Sequence, residues 1–162
     1  MVELDIFKQD MKFSAGHFTI FSATHRENLH GHNFTIRVVV KGTLDEEGML
    51  GDYGVLKGCM KVLCGEWNET FLLPGDSPHL RIHMSDDDDE VRVHFNEEVL
   101  RFLRRDVTVL PLKNISIEEL SGLFGERLIR DPWVANNALL TRIDVVCGSG
   151  PGQLARWSKS LV

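Results

Sequence analysis

The period of the hydrophobic positions changes several times along these 162 residues, and each change predicts an element. Asp5 to Phe18 mixes alternating and continuous apolar character and predicts one strand. Asn33 to Gly42, NFTIRVVVKG, is β-branched and stops at a glycine, which predicts a second strand. TIFSATHREN, between them, has no period and predicts a loop. Leu44 to Gly51 contains DEEG and predicts a turn. From Gly51 to Trp67, Val55, Leu56, Cys59, Met60, Val62 and Leu63 fall near helical spacing, which predicts a helix despite Gly54 and Gly58.

Leu72 to Leu80 reads as a loop opening into a strand, LRIHM, that forms a hairpin with the alternating VRVHF of Val91 to Phe95. The run Asp86 to Glu90, DDDDE, predicts a solvated turn. A calcium loop would need spaced ligands and a glycine, which the run does not have. Ser116, followed three residues later by Glu119, has the form of a capping box and predicts a helix to about Arg130. LLTRIDVVC, Leu139 to Cys147, predicts a last strand before the glycine-rich GSGPG. The order β, β, α, β-hairpin, α, β predicts an α+β fold with a largely antiparallel sheet. There is no internal repeat and no linker, so residues 1–162 read as one domain.

Composition narrows the function classes. A chain of this length buries roughly two-thirds of the surface its unfolded form exposes, enough for a real core. The net charge of −6 argues against nucleic acid and against an acidic membrane surface as partners. It leaves open an anionic small substrate held in a locally positive pocket. No uncharged apolar run approaches the ~18 residues of a membrane span. The N-terminal residues MVELDIFKQDMKF have neither the basic nor the apolar region of a signal peptide. Three cysteines, none in a CxxC pair, argue against a disulfide framework, so the expected location is a reducing cytoplasm.

The candidate chemistry lies in Arg26 to Phe34, RENLHGHNF. Residues two apart on a strand share a face, so a strand beginning near Leu29 places His30 and His32 side by side. His17, at the end of the first predicted strand, is well placed as a third ligand, and His25 competes with it on spacing. Three imidazoles with an open position form the pattern of a catalytic zinc site. The plainer reading is two histidines that happen to be close, in a chain that also carries His79, His83 and His94. Glu27 reads either as a solvated loop carboxylate or as a general base beside a metal-polarised substrate.

FSAGHF around His17, then HGHNFTIRVVVKG, then GMLGDYGVLK closely resemble the 6-pyruvoyl-tetrahydropterin synthase family, which includes the 6-carboxytetrahydropterin synthases. The resemblance covers most of the chain. It implies the tunnelling fold, a four-stranded antiparallel sheet with two helices on one face. It also implies a homo-oligomer in which rings of subunits stack into a hexamer, a dimer of trimers, with active sites at subunit interfaces. By resemblance the ligands of a Zn2+ cofactor are His17, His30 and His32, and His25 is not one.

The departures from the family are specific. Most members carry a catalytic cysteine a few residues before HGH, where this chain has Arg26 and Glu27. One branch carries Glu-x-x-His-Gly-His instead, as Glu27 to His32 does here. That branch cleaves the side chain of 7,8-dihydroneopterin triphosphate to give 6-hydroxymethyl-7,8-dihydropterin. Where members carry an Asp-His catalytic pair, this chain has Asn68 and Glu69. Asn68 is no base, but Glu69 still carries protons. The carboxylate that anchors the pterin has no counterpart, and Cys147 or Ser149 falls at its position. Ser116 matches a hydroxyl residue near the ring, ahead of Glu118. Residues 74–110 are longer than in compact members, and a hairpin extension is the simplest reading.

Three functions compete. The first is a zinc-dependent pterin lyase with Glu27 as acid/base. The second is a 6-pyruvoyl- or 6-carboxy-tetrahydropterin synthase. The third is a catalytically degenerate member that keeps the fold and the metal for binding or assembly.

Overall fold

One long strand, β3 (His30–Gly42), organises the chain. The computed structural model describes residues 1–85 and 89–162. One edge of β3 pairs antiparallel with β9 (Leu140–Gly150), from Thr35 opposite Gly148 to Gly42 opposite Leu140. Its other edge is shared end to end by β2 (Lys12–His17) and β1 (Val2–Ile6). The single strand expected over Asp5 to Phe18 is therefore two. Ile6 faces Val38 and Lys12 faces Thr35, so six steps on one side span three on the other. The surplus forms a turn, closed by the Met11 N–H on the Lys8 carbonyl, that tucks Met11 into the core.

The strand at the C-terminal end also exceeds expectation. β9 continues through the glycines to Gly150, turns at Pro151 and Gly152, and returns as β10 (Gln153–Ser160). The strand order β10-β9-β3-β2 is the expected antiparallel four. β4 (Thr70–Pro74) extends it, parallel to β2, and β8 (Val107–Leu110) lies parallel to β4. The segment read as a loop over Leu72 to Leu80 thus begins as a strand, whose Leu72 and Leu73 are fully buried. At Gly16 a side chain would run into the Phe71 ring, so the close approach of β4 to β2 requires glycine there.

The helices cover one face of this sheet. α1 (Tyr53–Trp67) starts at Asp52, whose carboxylate accepts from the Gly54 N–H at 2.8 Å. It buries Leu56, Met60, Leu63 and Trp67, while Val55 and Val62 face outward. α2 (Ile117–Leu128) starts at Ser116, whose hydroxyl accepts from the Glu119 N–H at 3.3 Å. The Glu119 carboxylate does not close the capping box on Ser116. It accepts instead from the Lys113 N–H at 3.0 Å. α3 (Pro132–Ala135) is a single turn that the sequence pattern did not predict. Phe13 stacks on Phe34 at 5.0 Å and meets Trp67 edge-on at 5.3 Å, and Trp67 meets Phe124 at 5.7 Å. This aromatic chain ties the sheet to both long helices.

The extension over residues 74–110 is a second sheet. β5 (Leu80–Met84) and β6 (Glu90–Phe95) form the expected hairpin, and β7 (Glu98–Leu103) adds a third antiparallel strand. Its apolar face, with Val91, Val93 and Phe95, packs on Phe18, Ile20 and Leu73 in a second hydrophobic cluster. Of the acidic turn expected at Asp86 to Glu90, Asp86, Asp87 and Asp88 lie outside the described residues, and Glu90 opens β6.

Candidate active site

The antiparallel register sets His17 directly opposite His30, and His32 follows two residues on along β3. The ring centroids lie 4.5 Å (His17–His30), 4.9 Å (His30–His32) and 5.2 Å (His17–His32) apart. One ring nitrogen from each imidazole lies within 4.8 Å of the others, a spacing that could hold a metal ion. His25 is elsewhere, with its ring against Phe21 at 4.9 Å.

The rings are oriented for ligation. His17 Nδ1–H donates to the Ile115 carbonyl at 3.0 Å, and His30 Nδ1–H donates to the Asn28 carbonyl at 2.8 Å. Each bond sets the tautomer and leaves the Nε2 lone pair bare, the arrangement usual around metal-bound histidine. His17 Nε2 is buried with no hydrogen-bond partner among the described residues. Such an atom costs about 1–3 kcal/mol unless something satisfies it. Burial lowers the His17 pKa, which keeps the ring neutral and the lone pair available. An orphaned acceptor, a neutral His17 ring and two carbonyl-fixed tautomers together fit a resident divalent metal.

Glu27 stands at the mouth of the triad, its Oε2 3.8 Å from His30 Nε2. The segment read as a structureless loop is a small hairpin with an antiparallel bridge between Ile20 and Arg26. Thr19 holds Glu27 twice: the Glu27 carboxylate accepts from the Thr19 N–H, and the Glu27 N–H donates to the Thr19 carbonyl, both at 2.9 Å. Asn114 pins the same hairpin through both backbone groups of Ile20. Burial alone would raise the Glu27 pKa. The Thr19 hydrogen bonds and the neighbouring histidines outweigh it, and the carboxyl lies below its ordinary range. Glu27 is therefore a carboxylate at neutral pH, able to accept a proton.

The triad opens into a pocket of about 530 Å³. Ser116 and Glu118 line it from the start of α2. Ser149, Gln153 and Leu154 line it from the β9–β10 hairpin. Cys147 does not. It faces the helix-covered core, fully buried, and Ser149 takes the wall two residues further along the same face of β9. The Ser149 hydroxyl donates to Gln153 Oε1 at 3.3 Å. The pattern reading missed Thr19, which carries no sequence signal. It missed Gln153 because it ended the last strand before the Gly-Pro-Gly turn.

Asn68 and Glu69 do not line the histidine pocket. Asn68 Oδ1 accepts from the Ser14 N–H at 2.9 Å, and the Glu69 N–H donates to the Ser14 carbonyl at 2.7 Å. Glu69 adopts φ 58°, the left-handed region that non-glycine residues seldom occupy. Glu69 borders a second groove with Ser14, Gly16, Asn33 and His32, the triad residue that lines both. None of the cysteines lines the histidine pocket. Burial pushes their thiols up, Cys59 to about 11 and Cys64 and Cys147 to about 12, so all three are protonated and unreactive at neutral pH.

Comparison with known proteins places this geometry among relatives. The family model described as 6-pyruvoyl tetrahydropterin synthase matches residues 6–145. A putative 6-carboxy-5,6,7,8-tetrahydropterin synthase of Pyrococcus horikoshii is 25% identical over 124 residues, 72% of this chain and 69% of its own. The crystal structure of 6-pyruvoyl tetrahydropterin synthase from Plasmodium vivax superposes with a TM-score of 0.91 at 25% identity, covering 99% of this chain and 98% of that one. A P. vivax variant with a catalytic glutamate replaced by alanine superposes with the same TM-score, at 24% identity and the same coverage.

Proposed function

Because the chain belongs to the 6-pyruvoyl tetrahydropterin synthase family, we propose that it is a zinc-dependent lyase that cleaves the side chain of 7,8-dihydroneopterin triphosphate, or its unphosphorylated form, to give 6-hydroxymethyl-7,8-dihydropterin. One observation carries this reading. A carboxylate, Glu27, stands at the mouth of the histidine triad, 3.8 Å from His30 Nε2, and is held there by the Thr19 N–H. Glu118, the pocket's other carboxylate, enters from α2 and is exposed. The catalytic glutamate named for the P. vivax relative supports a glutamate-based chemistry in this fold.

His17, His30 and His32 would hold the zinc, a donor set suited to a site with an open position. A bound zinc supplies Lewis-acid polarisation of the substrate's side-chain oxygens. Glu27 takes the proton from the 2′-hydroxyl. The bond between C1′ and C2′ breaks as the C2′ carbonyl forms, and the electron pair passes into the dihydropterin imine. Glu27 then returns the proton to C1′, leaving the hydroxymethyl pterin and a two-carbon aldehyde. Ser116, Glu118, Ser149 and Gln153 offer donors and acceptors for the ring at the far wall.

The cysteine-dependent synthase is the second reading, and three protonated thiols outside the histidine pocket count against it. Incubation of metal-replete protein with dihydroneopterin triphosphate, followed by product analysis, separates the readings. Hydroxymethyl pterin supports the lyase, and a pyruvoyl or carboxy product supports the synthase. No turnover and no pterin binding would favour a degenerate member with an assembly role. Elemental analysis should show about one zinc per chain. Protein that stays metal-free after metal-replete expression overturns the zinc assignment.

A further inference from the structure

The second sheet has no part in the chemistry above, yet one side chain ties it to the general base. Arg26 precedes Glu27 and reaches away from the pocket. Its Nε and Nη2 both donate to Glu98 Oε2 at the start of β7, at 2.8 and 2.6 Å. Its Nη1 donates to the carbonyl of Glu27 itself at 2.8 Å. The guanidinium lies over the rings of Phe18, 5.2 Å from the centroid, and Phe95, 5.8 Å from the centroid. The Arg26 side chain is only 14% exposed, packed between the two rings, while its partner Glu98 is 54% exposed at the rim.

We propose that Arg26 is a positioning residue and that the sheet β5–β7 is the buttress against which it sets Glu27. Phe18 and Ile20, at the root of the Glu27 hairpin, belong to the same hydrophobic cluster as Val91, Val93 and Phe95 of β6. The hairpin is thus fixed at three places: on Thr19 from within, on Asn114 at the start of α2, and on the second sheet through Arg26. A planar fork that contacts Glu98 and the Glu27 carbonyl together fixes the carboxylate's direction as well as its distance. Lysine, a single point charge on a flexible stem, cannot replace it. This assigns a role to the 74–110 extension, which compact relatives would have to fill by another support. The inference rests on Glu27 as acid/base.

Amide hydrogen exchange by NMR on the protein, with neither zinc nor pterin added, reads the support directly. Arg26→Ala and Glu98→Ala should speed exchange of the Thr19 and Glu27 amides by about tenfold or more, with β3 and β9 amides unchanged. In turnover, both variants should lose about 10–100-fold in kcat with KM within about threefold, because misplacing a catalytic group costs the transition state more than binding. Arg26→Lys should recover only part of the loss. Asp10→Ala, which breaks an exposed pair with Lys61 on the far side, should change neither readout. Unchanged Thr19 and Glu27 exchange in Glu98→Ala, which leaves Arg26 and the fold in place, overturns the buttress. A wild-type chain inactive on pterins overturns the functional reading alone and leaves the exchange result to stand.

Discussion

At the scale of single residues, the site depends on atoms that the backbone has already committed. The Ile115 carbonyl takes His17 Nδ1–H and the Asn28 carbonyl takes His30 Nδ1–H, so two of the three rings present Nε2 before any metal arrives. The Thr19 backbone takes Glu27 by both its side chain and its backbone, which sets Oε2 3.8 Å from His30 Nε2. Glu27→Gln keeps the shape and the Thr19 contact and removes only the basicity. It should lower kcat by about 10²–10⁴-fold while bound zinc per chain stays at the wild-type value. Steady-state kinetics with elemental analysis of the same preparation checks both halves. Full activity in that variant removes Glu27 from the mechanism.

At the scale of elements, the sheet separates two environments. Ile36, Val38, Ile143 and Val145 turn toward the helices and are buried. The opposite face carries Asp5 with Arg37, and Asp144 between Arg142 and Arg156 at 2.7 and 2.9 Å. Burial would raise the Asp144 carboxyl. Hydrogen bonds from Arg142, Ser158 and Arg156 outweigh it and hold it below the ordinary range. A carboxyl with a lowered folded-state pKa contributes its stability fully above the unfolded value of about 3.9, and loses it as pH falls through the lower folded value. Thermal melts between pH 7 and pH 3 should therefore show a shallower acid limb in Asp144→Asn than in the parent chain. Superimposable acid limbs would show that the Arg142–Asp144–Arg156 triplet adds nothing to folding.

At the scale of the whole molecule, both ends of the large sheet are open among the described residues of one chain, where β10 pairs with β9 alone and β8 with β4 alone. Unpaired edges of this kind are templates for further strands. Glu69 lines a second groove that meets the histidine pocket only at His32 of its own chain, and Asn68 lines neither. A ring that sets one chain's groove beside the next chain's pocket would give Glu69 its proton-carrying role and close the edges. Light scattering should then report six chains of 18.4 kDa, and a dilution series should lose activity as the rings part. A fully active monomer would remove Asn68 and Glu69 from the site.

Much of this was written in local pattern. β-Branching and a terminal glycine marked β3, helical spacing marked α1, and Ser116 with Glu119 marked the start of α2, because each signal depends on residues within one turn or one strand. HGH marked two members of the histidine cluster, and the family resemblance carried by FSAGHF and GMLGDYGVLK singled out His17 over His25 as the third. Register and packing decided the rest. The break between β1 and β2 follows from how many residues of β3 lie opposite, which no local window contains. The exchange of Cys147 for Ser149 at the pocket wall follows from where α2 stops covering β9. Arg26 and Glu98, 72 positions apart, share a junction because a second sheet folds back under the Glu27 hairpin. Spacing along a chain reports which residues share a face. Only the closed tertiary structure decides what stands against that face, because burial and hydrogen-bond partners are set by segments distant in sequence.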